Sequence, residues 1–186
     1  MHRVFLSALI IASNFALPLT QALALPLHRI GASWHYAPPK VHAVVTVAKP
    51  LSAQQGAVWI ASRARAVAAR TKTIGWCFRA VKGALKPFGI ALQGAAAWMA
   101  KDQLMSDDRF EAVSYDNLQP GDILVHGRSS NHPYGHIAVY LGNDTEASDH
   151  VQQLITGDEY GGTTVFRLSA PVNFLATISR SRLRHA

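Results

Sequence analysis

The chain is poor in cysteine, in acidic residues and in long apolar runs, and each scarcity excludes something. A single cysteine in 186 residues, Cys77, rules out an intrachain disulfide framework. Eleven acidic residues against 18 Lys and Arg leave a net charge of +7, which favours an anionic partner. No His-Glu-x-x-His helix is present to make a zinc peptidase of that type. After the first two dozen residues no segment approaches the roughly 20 apolar residues that a membrane-spanning helix needs. What remains, 49% hydrophobic and 16% charged, is the composition of one globular domain.

The amino-terminal segment reads as a secretory signal. His2 and Arg3 make a short basic start, Val4 to Phe15 is largely apolar, and Ala22-Leu23-Ala24 offers a small-x-small cleavage site. Asn14, Pro18 and Gln21 interrupt the run, so cleavage is expected over anchoring, with no stable membrane insertion. The expected organisation is a signal at 1–24, a linker or loosely packed arm at 25–50 marked by Pro26, Pro38, Pro39 and Pro50 and holding a candidate edge strand over Val41 to Val47, a folded domain at 51–172, and a basic tail at 173–186. Export to the periplasm or beyond argues against nucleic acid as the anionic partner. The scattered charges, gathered only at Arg180, Arg182 and Arg184, also fit a merely solvated basic surface.

An exported lone thiol is either buried and inert or kept for its reactivity. The local pattern bears on that choice. Ser52 caps an expected helix to about Arg70, and a second helix is expected from about Trp76, through Cys77, Phe78, Val81, Ala84 and Leu85, until Pro87 and Gly89 end it. Cys77 then lies in a first helical turn, where unpaired N–H groups and the helix dipole stabilise a thiolate. A third helix is expected over about Ala95 to Met105.

The second half changes to strands. Asn117 to Asp122 is a turn, followed by strands at Ile123 to His126, His136 to Leu141, about Thr145 to Asp149, and Thr163 to Leu168, with Gly142-Asn143-Asp144 as a hairpin turn. Helices first and antiparallel strands afterwards predict an α+β domain.

His136, at the head of its strand, suits a general base for the thiol of Cys77. A third polar group is needed to orient the imidazole, and Asp149 is preferred, with Glu146, Ser148 and His150 in competition. Strand alternation puts Asp149 on the face opposite those three, so one set alone can face His136. Trp76 beside the nucleophile and His126 in the neighbouring strand are candidates to touch substrate, with core packing as the alternative for both.

The helix-start Cys, the run Leu118-Gln119-Pro120-Gly121-Asp122-Ile123-Leu124 and the run from Gly135-His136-Ile137 to Tyr140-Leu141-Gly142 resemble the NlpC-type and CHAP cell-wall hydrolases over roughly residues 52 to 170. The resemblance implies a papain-like α+β fold, with N-terminal helices packed on an antiparallel sheet. It also implies a cysteine peptidase or amidase acting on peptidoglycan peptide or amide bonds, without cofactor or metal, with the nucleophile at Cys77, the base at His136 and a third polar residue in the next strand. Gly75-Trp76-Cys77-Phe78 departs from the Asp-Cys-Ser-Gly of NlpC-type enzymes and is nearer the CHAP type, whose acidic or amide residue in the third position supports Asp149.

Two other classes compete. His126, His132, His136 and His150 with Asp149 are potential zinc ligands, and Ser130-Asn131-His132-Pro133-Tyr134-Gly135 begins like a zinc D,D-carboxypeptidase motif before departing from it. A catalytically inactive wall- or partner-binding module of the same fold would lose nothing with Cys77.

Overall fold

The structure is a computed structural model that describes residues 44–179 except 72, 157 and 158. The expected signal at 1–24, the first part of the expected arm and residues 180–186 lie outside the described residues.

Among the described residues the elements run as one strand, then the helices, then the strands of the larger sheet, helices before that sheet as the pattern predicts. Helix α1 (Ala53–Ala68) starts at Ser52, whose hydroxyl accepts the Gln55 N–H at 3.2 Å while the Gln55 side chain accepts the Ser52 N–H at 3.1 Å. This reciprocal cap contributes on the order of 1 kcal/mol. Its buried stripe includes Ile60, Ala61, Ala64 and Ala68 at helical spacing. Helix α2 (Cys77–Leu85) buries Phe78, Val81, Ala84 and Leu85, and Lys86–Phe88 continue it as a 3₁₀ turn that ends at Gly89. The third helix is shorter than expected: Ala97–Met99 form a 3₁₀ turn and α3 covers only Ala100–Met105.

Two antiparallel sheets complete the fold. Strands β2 (Phe110–Val113), β3 (Ile123–His126), β4 (His136–Gly142), β5 (Thr145–Ala147), β6 (Val151–Gln153) and β7 (Thr163–Leu168) pair in the order β2-β7-β3-β4-β5-β6. Strand β1 (Val44–Leu51) pairs separately with β8 (Val172–Ser179). Strand β1 lies where the run Val41 to Val47 suggested an edge strand within the expected arm, and its partner β8 runs into the segment expected as a tail. Pro50 is accommodated because a two-stranded ribbon offers an edge.

Strand alternation sorts the large sheet into two faces. Ile123, Val125, Ile137, Val139 and Ala147 enter the core with α1 and α2, where Ile60, Leu85 and Phe88 are almost wholly buried. Each such side chain contributes about 2 kcal/mol. The other face of β3 and β4 carries Leu124 and Ala138 and, at its end, His126 and His136, which stand directly opposite each other. Asn143 and Asp144, both with φ of 51°, make the β4–β5 turn in the left-handed conformation that a tight hairpin demands.

The Pro120-Gly121-Asp122 turn locks this sheet to α1. A Cβ on Gly121, where φ is 102°, would sit 2.3 Å from the Ala57 carbonyl oxygen. Asp122, almost fully buried, accepts the Gln119 N–H at 2.7 Å and a forked pair of bonds from Arg167 on β7 at 2.7 and 3.0 Å. Among the described residues no helix is long and apolar enough to cross a membrane.

Candidate active site

Cys77 is the first residue of α2, and it is half-buried at the edge of an open cleft of about 1690 Å³. The first helical bond runs from Ala80 N–H to Trp76 C=O at 3.0 Å, so the N–H groups of Cys77, Phe78 and Arg79 precede the helical ladder. Those donors and the dipole favour an anion beside the sulfur. The same cleft is lined by Trp76, Arg79, Tyr134, His136, His150 and Tyr160, among others.

His136 brings its ring to the Cys77 thiol from the head of β4. The preceding Gly135 makes this approach possible: its φ is 63°, and a Cβ there would lie 2.5 Å from the His126 carbonyl oxygen. Burial alone would lower the basicity of the imidazole, but contact with the Cys77 thiol and with the Glu146 carboxylate outweighs it and raises the pKa to about 9. At neutral pH the ring is an imidazolium facing a sulfur.

The carboxylate that faces His136 belongs to Glu146. Its Oε1 lies 3.4 Å from His136 Nε2, close enough for an ion pair but outside good hydrogen-bond alignment. Glu146 pairs with Tyr140 in the β4–β5 register, and Ala138 is the residue between Tyr140 and His136 on that face. Glu146 is fully buried, and Gln152, its partner on β6, donates to Oε1 at 2.7 Å. Burial raises the carboxyl pKa, yet the close His136 imidazolium and the bond from Gln152 bring it below the usual range.

Asp149, the preferred third residue of the sequence reading, is placed elsewhere. Strand β5 ends at Ala147, and a tight turn closed by Ser148 N–H to His150 C=O at 2.9 Å takes Asp149 out of the alternation. Its Oδ2 accepts the Trp76 N–H at 2.6 Å, while Oδ1 receives Ser148 Oγ at 3.0 Å and His150 Nδ1 at 2.8 Å. Burial raises its pKa, but these bonds together lower it. The carboxylate thus caps the start of α2 from across the fold and sets the turn that carries Cys77. Of the competing set, Glu146 alone reaches His136; Ser148 and His150 bind Asp149.

His126 is also not where substrate contact requires it. The side chain is wholly buried behind the cleft, with Nδ1 2.8 Å from Thr163 Oγ1 and Nε2 4.0 Å from Glu146 Oε2. Trp76 is the reverse case: it is half-exposed on the cleft rim, and the Arg79 guanidinium lies 5.2 Å from its ring centroid. Tyr160, which the sequence reading passed over, lays its ring 4.3 Å from that of His132, 5.1 Å from His126 and 6.0 Å from His136. Among the described residues no three His, Cys, Asp or Glu side chains converge as metal ligands would.

No protein-family model matches the chain, and no curated protein does. Among solved structures it is similar to a chain of the type VI native effector-immunity complex Tae3-Tai3 from Ralstonia pickettii, with a TM-score of 0.51 and 23% identity over 60% of this chain and 98% of that one. The selenomethionine form of the effector-immunity complex Tae3-Tai3 from Ralstonia pickettii matches with a TM-score of 0.44 and 25% identity, over 55% and 97% of the two chains. The fold is α+β and papain-like, with N-terminal helices packed on an antiparallel sheet.

Proposed function

We propose that this chain is an exported thiol hydrolase that cleaves an amide bond of bacterial peptidoglycan, as a stem-peptide endopeptidase or an amidase. The observation that carries the reading is the meeting of Cys77, at the start of α2, with a His136 imidazole whose pKa is raised to about 9, at the wall of an open cleft. The substrate class rests on the resemblance of the Cys77, Pro120-Gly121-Asp122 and Gly135-His136 segments to cell-wall hydrolases. The papain-like fold supports it.

The sulfur attacks the amide carbonyl carbon, and the electron pair of the C=O bond moves to oxygen. The Cys77 N–H, ahead of the helical ladder, stabilises that oxyanion. His136 gives its proton to the departing amine as the C–N bond breaks, leaving a thioester. Neutral His136 then takes a proton from water, whose oxygen attacks the thioester, and the carboxylate product leaves as the C–S bond breaks and frees the sulfur. Glu146 holds the imidazolium from behind, the role the sequence reading gave to Asp149, and Asp149 holds the Trp76–Cys77 turn. On the rim, the exposed Arg79 stacked on Trp76 offers a cation and an apolar plate to a substrate rich in carboxylates. Among the described residues no carboxylate pairs with Arg79.

Digestion of purified peptidoglycan under reducing conditions, with mass spectrometry of the released fragments, tests the proposal. New peptide or amide ends are expected with the wild type, are expected to survive chelator, and are expected to vanish with Cys77→Ala. Cleavage that survives Cys77→Ala and stops with chelator would refute the thiol mechanism.

A further inference from the structure

One buried group of the site has no part in the reaction just described. His126 is wholly buried, and its Nε2 has no hydrogen-bond partner, a costly arrangement for a polar atom out of reach of water. It sits at the centre of a row that crosses four adjacent strands: Thr163 on β7 is opposite His126 on β3, which is opposite His136 on β4, and Glu146 reaches in from β5. The groups facing His126 are Glu146 from β5, His136 from β4, Thr163 from β7 and the Tyr160 ring from the loop before it.

Burial keeps this imidazole neutral, lowering its pKa to about 4 against the attraction of Glu146, with the charge on His136 lowering it further. A neutral ring carries one N–H, and its two tautomers differ sharply here. With the proton on Nδ1, the Nε2 lone pair would point at the Glu146 carboxylate 4.0 Å away, like against like. With the proton on Nε2, the N–H dipole points at the carboxylate and Nδ1 accepts the Thr163 hydroxyl at 2.8 Å. Thr163 is exposed as a residue, so its hydroxyl is not required by the core.

We infer that His126 is a positioning residue, held as the Nε2–H tautomer by the facing Glu146 carboxylate and seated by Thr163, and that its N–H in turn keeps that carboxylate ionised and turned toward His136. The inference rests on the reading of Cys77 and His136 as a catalytic pair, but not on the substrate. A buried carboxylate between two rings is stabilised by a positive dipole on one side and a full charge on the other. That leaves the full charge on the ring that meets the sulfur.

The test is side-chain ¹⁵N NMR of histidine-labelled protein across pH 5 to 10, beside the pH dependence of Cys77 alkylation by iodoacetamide, in wild type, Thr163→Val and Thr163→Ser. In the wild type His126 is expected to show a protonated Nε2 and a bare Nδ1 throughout. Thr163→Val is expected to unseat the ring, shifting the His126 nitrogen resonances, and to lower the His136 midpoint by about half a pH unit, the scale of one lost hydrogen bond. Thr163→Ser is expected to restore both. An Nδ1–H tautomer in the wild type, or a His136 midpoint unmoved in folded Thr163→Val, would overturn the inference. Loss of peptidoglycan cleavage plays no part in these readouts. If the NMR and alkylation results hold while no wall fragment is released, the substrate proposal fails and the positioning role stands.

Discussion

His126 and His136 face each other across β3 and β4, both buried and both near the same carboxylate, yet the fold drives them to different charge states. The inner ring is fully enclosed, 4.0 Å from Glu146 and bonded to a neutral hydroxyl, and burial takes its pKa down to about 4. The outer ring keeps a small opening to the cleft, lies 3.4 Å from Glu146 and touches the Cys77 thiol, and its pKa rises to about 9. Proximity to an acid does not decide protonation by itself. The balance between desolvation and the number of close anionic partners does.

The sharpest way to break this contrast is to neutralise the acid between the two rings. Glu146→Gln keeps the shape and the Gln152 contact but removes the charge, so kcat/KM at neutral pH is expected to fall on the order of 10²-fold, with the alkaline limb of the rate profile moving to lower pH. Steady-state rates on a soluble stem-peptide or amide substrate across pH would show it. An unchanged alkaline limb would mean that Glu146 does not support the charge on His136.

A second test reads the contrast through stability. Because the folded pKa of His136 is about 9 and the unfolded value of histidine is about 6.5, its contribution is fully present below pH 6.5 and is lost as pH rises through 9. Urea melts of the wild type are expected to show stability declining across that window, with a flatter curve for His136→Gln. Equal slopes in the two proteins would place the resting proton elsewhere.

The smallest effect is expected from the second acid. Asp149→Ala frees the Trp76 N–H at the start of α2, which should cost about 1–2 kcal/mol of stability and roughly tenfold in rate without moving the His136 midpoint. Asp149→Asn, which keeps an acceptor for that N–H, is expected to retain most of the activity. A large shift of the His136 midpoint in either variant would return to Asp149 the role proposed for Glu146.

Much of the framework was legible because it depends on local patterns. The Ser52 cap, the apolar spacing of both long helices, the Gly142-Asn143-Asp144 hairpin and the runs of β3, β4 and β7 each declare themselves within a few residues. Strand β1 showed only in part, as the run Val41 to Val47, and β8 did not, because β1 contains Pro50 and the two pair across more than a hundred residues. Strand β6 is three residues long and gains meaning only beside β5.

For the site, the residue types and order of Cys77 and His136 were enough to single them out, since a helix start and a strand head are both local features. Alternation also showed that Glu146 and Asp149 must part company. Only the tertiary structure decided which of them meets the imidazole, because that choice turns on where β5 ends, on the turn that sends Asp149 to the Trp76 N–H, and on Ala138, the small residue between Tyr140 and His136 on the face along which Glu146 reaches back. The different charge states of His126, neutral, and His136, cationic, belong to the same class: burial and partner distance are properties of the packed molecule, and two histidines of identical chemistry carry no mark of them in the chain.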